Sequence, residues 1–419
     1  MIADGGYAGF AARLVATGVI SDPWLDGAPR FEPEPVILTG EQADALAAAA
    51  EDVAAAIDAL CRLVAAEPAL LDRLGLTPVQ RLLWHASAPS WHALARADAF
   101  FVEGAGGGED GVAICELNCD TPSGEAEAVL LGQLAARPDL ADPSRSLLPR
   151  LAALVEALAG RGARPAVGIV YPTEITEDLS MVRLYAELFA ARGSTVALGS
   201  PYNLGRAADG RLALLGTPVD VIIRHYKTDW LGEREPVWLD EEPPPDATPL
   251  SGPVSLLAGA VLEGKVAMVN PLGAVVPQNK RALALLWELI DRLPADAAAA
   301  VRRHVPYTAR LETLDASTLE RERWVLKSDY GCEGDEVIVG AEVDDATWAE
   351  ALALARPERF VAQRRFDPRP GRARVVNHGV YLVGGRASGI LTRLSEGPTD
   401  TTARTAATLV APGPDGVGR

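Results

Sequence analysis

The stretch CELNCDTPSGEAEA, residues 115–128, places Glu116, Asn118 and Asp120 on alternate positions, the spacing of one strand face. Upstream, LARADAFFVE carries Arg96 and Asp98, and the glycine-rich GAGGGED joins the two segments. If they pair as an antiparallel hairpin, a register opposing Asp98 to Glu116 also opposes Arg96 to Asn118, all four on one face. Opposed carboxylates repel unless a cation or proton lies between them. Carboxylate and amide oxygens are hard donors suited to Mg²⁺, which keeps waters and bridges to phosphate oxygens. A solvated edge with ordinary surface charges fits the same spacing, and loop length alone does not fix the register.

A second set of residues has the chemistry of phosphate binding. In WVLKSDYGCEGDEVIVG, residues 324–340, an apolar strand carries Lys327 and the following turn holds Gly331 and Gly334. Glycines let backbone N–H groups approach phosphate closely, and a lysine supplies a point charge. GK[ST] is missing and no helix follows, so this is not a Walker A loop. Lys280 opens the helical NKRALALLWELIDRL, Gln363 lies on the strand RFVAQRRF, and Arg393 lies near the end of RASGILTRLS. Lysine is rare here: Lys227, Lys265, Lys280 and Lys327 are the whole complement among 39 basic residues, so two of four fall in these segments.

The elements around them form a mixed pattern. Residues 40–73 are Ala/Leu-rich with helical periodicity, and 124–137 and 144–161 are also helical. PAVGIVYP, STVALGSP and VDVIIRHY read as strands alternating with the helix EDLSMVRLYAELFAARG, as in a small parallel α/β layer. EEPPPDATP is a linker, and from about residue 266 a helix is followed by strands and hairpins. Four divisions follow: 1–164, helices plus the acidic hairpin; 165–265, the α/β layer; 266–410, a nucleotide lobe; 411–419, a flexible tail.

With 57 acidic against 39 basic residues the formal charge is −18, which argues against a nucleic-acid partner. The chain contains no apolar stretch of membrane-spanning length and its start reads as no secretory signal. Cys61, Cys115, Cys119 and Cys332 have neither disulfide-framework nor zinc spacing, which implies packed, reduced thiols in a cytoplasmic protein.

Together these segments resemble the glutathionylspermidine synthase-like family of circularly permuted ATP-grasp ligases, from roughly residue 80 to 410. The family's R-x-D and E-x-N-x-D-T-P strands resemble Arg96-Ala97-Asp98 and Glu116 to Pro122. Its N-K-A-L-L helix resembles Asn279 to Leu283, and its lysine strand and glycine loop resemble Val325-Leu326-Lys327 with Gly331 to Gly334. The A-Q strand resembles Ala362-Gln363, and the G-V-Y-L-V…R hairpin matches Gly379 to Val383 and Arg393. The resemblance implies a permuted ATP-grasp core with a small Rossmann-like pre-ATP-grasp α/β domain.

It further implies Mg²⁺ on Asp98, Glu116 and Asn118, and ATP on Lys280, Lys327, Gly331, Gly334 and Gln363. Arg96 and Arg393 would sit at the reacting centre, and Glu177 and Asp178 would receive an amine, with Thr121 and Ser123 also on substrate. The implied activity joins a small-molecule carboxylate to an amine through an acyl phosphate. The alternatives are a phosphotransferase and a binding scaffold without catalysis. Ser328 and Cys332 depart from the proline and arginine usual in the lysine strand and loop.

Overall fold

The computed structural model describes residues 6–103, 111–160, 164–173, 178–231, 236–243, 250–331, 336–369 and 375–412. Its centre is a six-stranded sheet in the spatial order Phe31–Leu38, Arg404–Val410, Arg386–Ser395, Val375–Val383, Leu94–Val102, Gly111–Asn118. The first pair is parallel and the rest antiparallel. This sheet takes strands from both the first and the third of the divisions expected above.

Alternation along Leu94–Val102 sends Ala95, Ala97 and Ala99 to one face, into a core with the long helix Gly40–Ala66. That helix starts where Thr39 and Gln42 form a reciprocal capping box, and it buries Leu46, Val53, Ile57, Leu60 and Val64 at helical spacing. The opposite face is left to Arg96 and Asp98.

Of the registers open to the hairpin, it has the one that opposes Asp98 to Glu116 and Arg96 to Asn118. Nearer the loop, however, Ala99 pairs with Ile114, so a β-bulge at Cys115 separates the two halves. Without this extra residue the loop-side register would oppose Asp98 to Cys115 and turn Glu116 to the other face. The bulge therefore brings the two carboxylates together.

A second sheet, fully parallel, has the order Ala267–Val269, Val221–Arg224, Val167–Val170, Val196–Gly199. Helices Leu147–Ala159 and Leu179–Ala191 contribute to the core on one side, and Ser251–Leu262 on the other. A third sheet, antiparallel, has the order Thr308–Arg310, Phe360–Arg364, Trp324–Ser328, Val337–Val339. It carries Lys327 and Gln363 on one face, since Val325 opposes Gln363 and Lys327 opposes Val361.

Asp120 joins the first two sheets. Its carboxylate receives the Arg224 guanidinium and both the backbone N–H and the hydroxyl of Thr228, each at 2.6 Å for the latter two. Asp120 and Arg224 are both buried. Asn270 donates to the Asp120 carbonyl and accepts from the backbone of Ala93 and Leu94. The third oxygen-bearing residue of the opening motif is thus an architectural residue.

Candidate active site

One cavity of about 1170 Å³ lies between the charged sheet face, the lysine sheet and the carboxyl end of the parallel sheet. Asp98, Glu116, Asn118, Arg96, Arg393, Lys327, Gln363, Thr121, Ser123 and Asp178 all line it. Glu177 and Gly334 lie outside the described residues, as does Cys332.

Asp98 is almost fully buried and is held by two guanidiniums. Arg96 Nε donates to its Oδ1 at 2.8 Å, and Arg393 Nη2 donates to its Oδ2 at 2.6 Å. Arg96 is buried, which alone would lower its pKa, but the neighbouring Asp98 more than offsets this and keeps it charged. Its Nη1 donates to the Ser123 carbonyl at 2.8 Å, where the Tyr381 hydroxyl also donates. The side chain lies across Gly379, where a Cβ would stand 2.7 Å from Arg96 Cδ. A glycine opposite Asp98 is therefore what lets Arg96 lie flat on the sheet.

Glu116 is bonded by Asn118 Nδ2 at 3.2 Å and paired with Lys280 at 3.5 Å. Burial by itself raises its carboxyl, yet Lys280 and Lys327 outweigh that and hold it well below the usual carboxylate range. Lys280 also donates to the Gly331 carbonyl. Lys327 Nζ and Gln363 Nε2 both reach the Cys115 carbonyl, at 3.4 and 3.3 Å. The bulge that aligns the carboxylates thus also presents the acceptor that these two residues meet. Ser328 accepts from the Gly331 N–H at 2.9 Å and donates to Glu336, bonds that a proline at this position cannot make.

The donor set is compatible with a hard divalent ion. The opposed Asp98 and Glu116 carboxylates and the Asn118 amide are all oxygen-bearing, although here the amide nitrogen faces Glu116 and Oδ1 accepts from Gln278. Among the described residues no group of three or more His, Cys, Asp or Glu could hold an ion alone. Such an ion would complete its shell with waters and phosphate oxygens. Four cations (Arg96, Arg393, Lys280, Lys327) surround two carboxylates, a surplus of two positive charges that a magnesium–nucleotide complex of net charge about −2 would balance.

Another part of the lining has the opposite balance. Asp22, Asp26, Glu127 and Asp178 form it with Arg30 and Lys227. Arg30 bridges Asp22 and Glu127, and the Ser180 hydroxyl also reaches Glu127. Asp178 occupies the N-cap position of helix Leu179–Ala191 but makes no cap bond. Its Oδ2 instead meets His225 Nε2 at 2.7 Å. Sequence reasoning did not single out His225, Arg30, Glu127 or Tyr381, whose partners are remote along the chain. The one available signal was His225's place just past the carboxyl end of a parallel strand, where open α/β sheets bind ligands.

Sheets, hairpin and lysine strand together define an ATP-grasp-type α/β fold. The family model for the glutathionylspermidine synthase pre-ATP-grasp domain matches residues 26–411, so the chain belongs to the glutathionylspermidine synthase-like family, one of ATP-dependent ligases. No curated protein matches the chain in sequence. Among solved structures it is similar to a glutathione synthetase-like effector from Globodera pallida in its apo form. That likeness has a TM-score of 0.59 at 10% identity and covers 95% of this chain and 94% of the other, a likeness of fold. No helix among the described residues is long and apolar enough to cross a membrane.

Proposed function

We propose that this protein is an ATP-dependent carboxylate–amine ligase that acts through an acyl phosphate and releases ADP and phosphate. One observation carries the reading: a single cavity is lined both by Asp98 and Glu116 with Arg96, Arg393 and Lys327 and by the acids Asp22, Asp26, Glu127 and Asp178. A carboxylate is a poor electrophile, so it must first take the γ-phosphoryl group of ATP, a step catalysed mainly by positioning and charge neutralisation. Asp98 and Glu116 with Asn118 would hold Mg²⁺, which would supply charge neutralisation for the phosphates. Lys280 and Lys327 would exchange their carbonyl partners for phosphate oxygens, with Gln363 on the nucleotide. Arg96 and Arg393, fixed by Asp98, would hold the reacting carboxylate and then stabilise the oxyanion formed when the amine attacks. Asp178 would orient the amine. The acids around Asp178 favour a ligase over a phosphotransferase that takes no amine substrate.

The test is ADP release with MgATP and panels of small acids and amines. The reading expects release only when an acid and an amine are both present. Release with an acid alone, and no amide product with any amine, would instead support a phosphotransferase.

A further inference from the structure

The pair formed by Asp178 and His225 gives the amine end a property that follows from its geometry. Asp178 is 35% exposed and lines the cavity, whereas His225 is 6% exposed and lies behind it, 2.7 Å away. The imidazole N–H donates to Oδ2 in either protonation state, so one carboxylate oxygen is fixed, while among the described residues the other makes no hydrogen bond. Only the charge of the pair changes: it is neutral when His225 is protonated and carries one negative charge when it is not.

Resting on the ligase reading above, we propose that His225 is a positioning residue for a cationic amine substrate. It holds Asp178 toward the cavity, and an ammonium group in the cavity competes with a proton on His225 for that carboxylate. Amine binding then expels the proton, and affinity for the amine rises with pH until His225 is neutral.

The charged groups facing the pair come from several elements. Burial lowers the His225 pKa, but Asp178 and Glu125 raise it above its usual value, with Arg224 opposing them from the adjacent position. Asp178 is raised by burial but drawn lower by His225, with Arg30 and Lys227 acting in the same sense. Glu125, at the start of helix Glu125–Leu134, is fully buried with neither carboxylate oxygen bonded, and burial pushes it up to about 8. It is therefore the second group that titrates in the relevant window, and the test must separate the two.

Calorimetric titration of the full-length protein with putrescine provides that test, since alkylamines stay charged to about pH 10. Wild type should bind about tenfold more tightly at about pH 8 than at about pH 6, the size of a unit-charge interaction across a few ångströms at a screened protein site. His225→Gln keeps an N–H donor for Asp178 but cannot titrate. It should match the wild-type high-pH affinity and lose the dependence below about pH 7. Glu125→Gln should retain that dependence. An unchanged slope in His225→Gln overturns the proposal, as does loss of binding at every pH in that variant while MgATP still stabilises it. Absence of putrescine binding in wild type that does respond to MgATP also overturns it, and leaves the nucleotide-dependent reading standing.

Discussion

Glu116 and Asp120 stand four residues apart in one motif, and their surroundings are opposite. Glu116 opens onto the cavity, opposes a second carboxylate, and is held by Lys280 at a helix start and Lys327 on another sheet. Asp120 is closed off by Arg224 and Thr228, each of its oxygens bonded inside the protein. Both are acids with cationic partners, but only the first has room for a ligand to replace a partner. The contrast shows why spacing alone does not separate a binding carboxylate from an architectural one. What separates them is whether the partner can be exchanged.

Substitutions sharpen that contrast when stability and activity are measured side by side. Glu116→Gln should reduce ADP release by about 10⁴-fold, about 5 kcal/mol in the barrier, its effect on activity exceeding its effect on stability. Asp120→Ala should do the reverse: leaving Arg224 buried without its anion should cost about 3–5 kcal/mol of stability by chemical denaturation. If instead Asp120→Ala folds with wild-type stability and is inactive, the architectural assignment is wrong.

Glu125 offers a linkage test with a definite sign. Its folded-state pKa is raised to about 8, so between the ordinary carboxylate pKa and about 8 the folded state retains a proton that the unfolded state has lost. This group's contribution to stability falls as pH rises through that window and is flat above it. Glu125→Gln should therefore be more stable than wild type near pH 8, by on the order of 2–4 kcal/mol, and the gap should close near pH 4. Thermal melts across that range would measure it.

Smaller effects probe how Arg96 and the glycine loop are placed. Gly379→Ala forces a methyl group into Arg96, and should cost about 1–3 kcal/mol in stability and lower kcat by moving the guanidinium. Ser328→Ala removes the acceptor for the Gly331 N–H and should cost about 1 kcal/mol, read chiefly as a higher KM for ATP.

Much of the charged face was legible because strand alternation and carboxylate repulsion act locally. Given the register that opposes Asp98 to Glu116, alternation also opposes Arg96 to Asn118, as observed. The bulge at Cys115 did not, because it depends on how the loop side pairs, and loop length leaves that open. The strand Phe31–Leu38 went unread since Pro33 and Pro35 argue against a strand. It lies at the edge of the sheet, where proline is tolerated. Helix Ala295–His304 and strand Arg404–Val410 were also missed, the latter pairing with the neighbouring Arg386–Ser395 over three residues only and otherwise with the remote Phe31–Leu38. Arg224 and Asp120 are 104 residues apart, and no local pattern marks such a pair.

The ligase proposal requires that Asp98 and Glu116, with Lys280 and Lys327, form a magnesium–nucleotide site. Thermal shift with ATP, with and without Mg²⁺, on wild type and Glu116→Ala tests it most directly. Wild type should show Mg²⁺-dependent stabilisation, about 2.7 kcal/mol at about 100 times Kd, and the variant should lose it. Equal stabilisation of both proteins, or none under any condition, would contradict it.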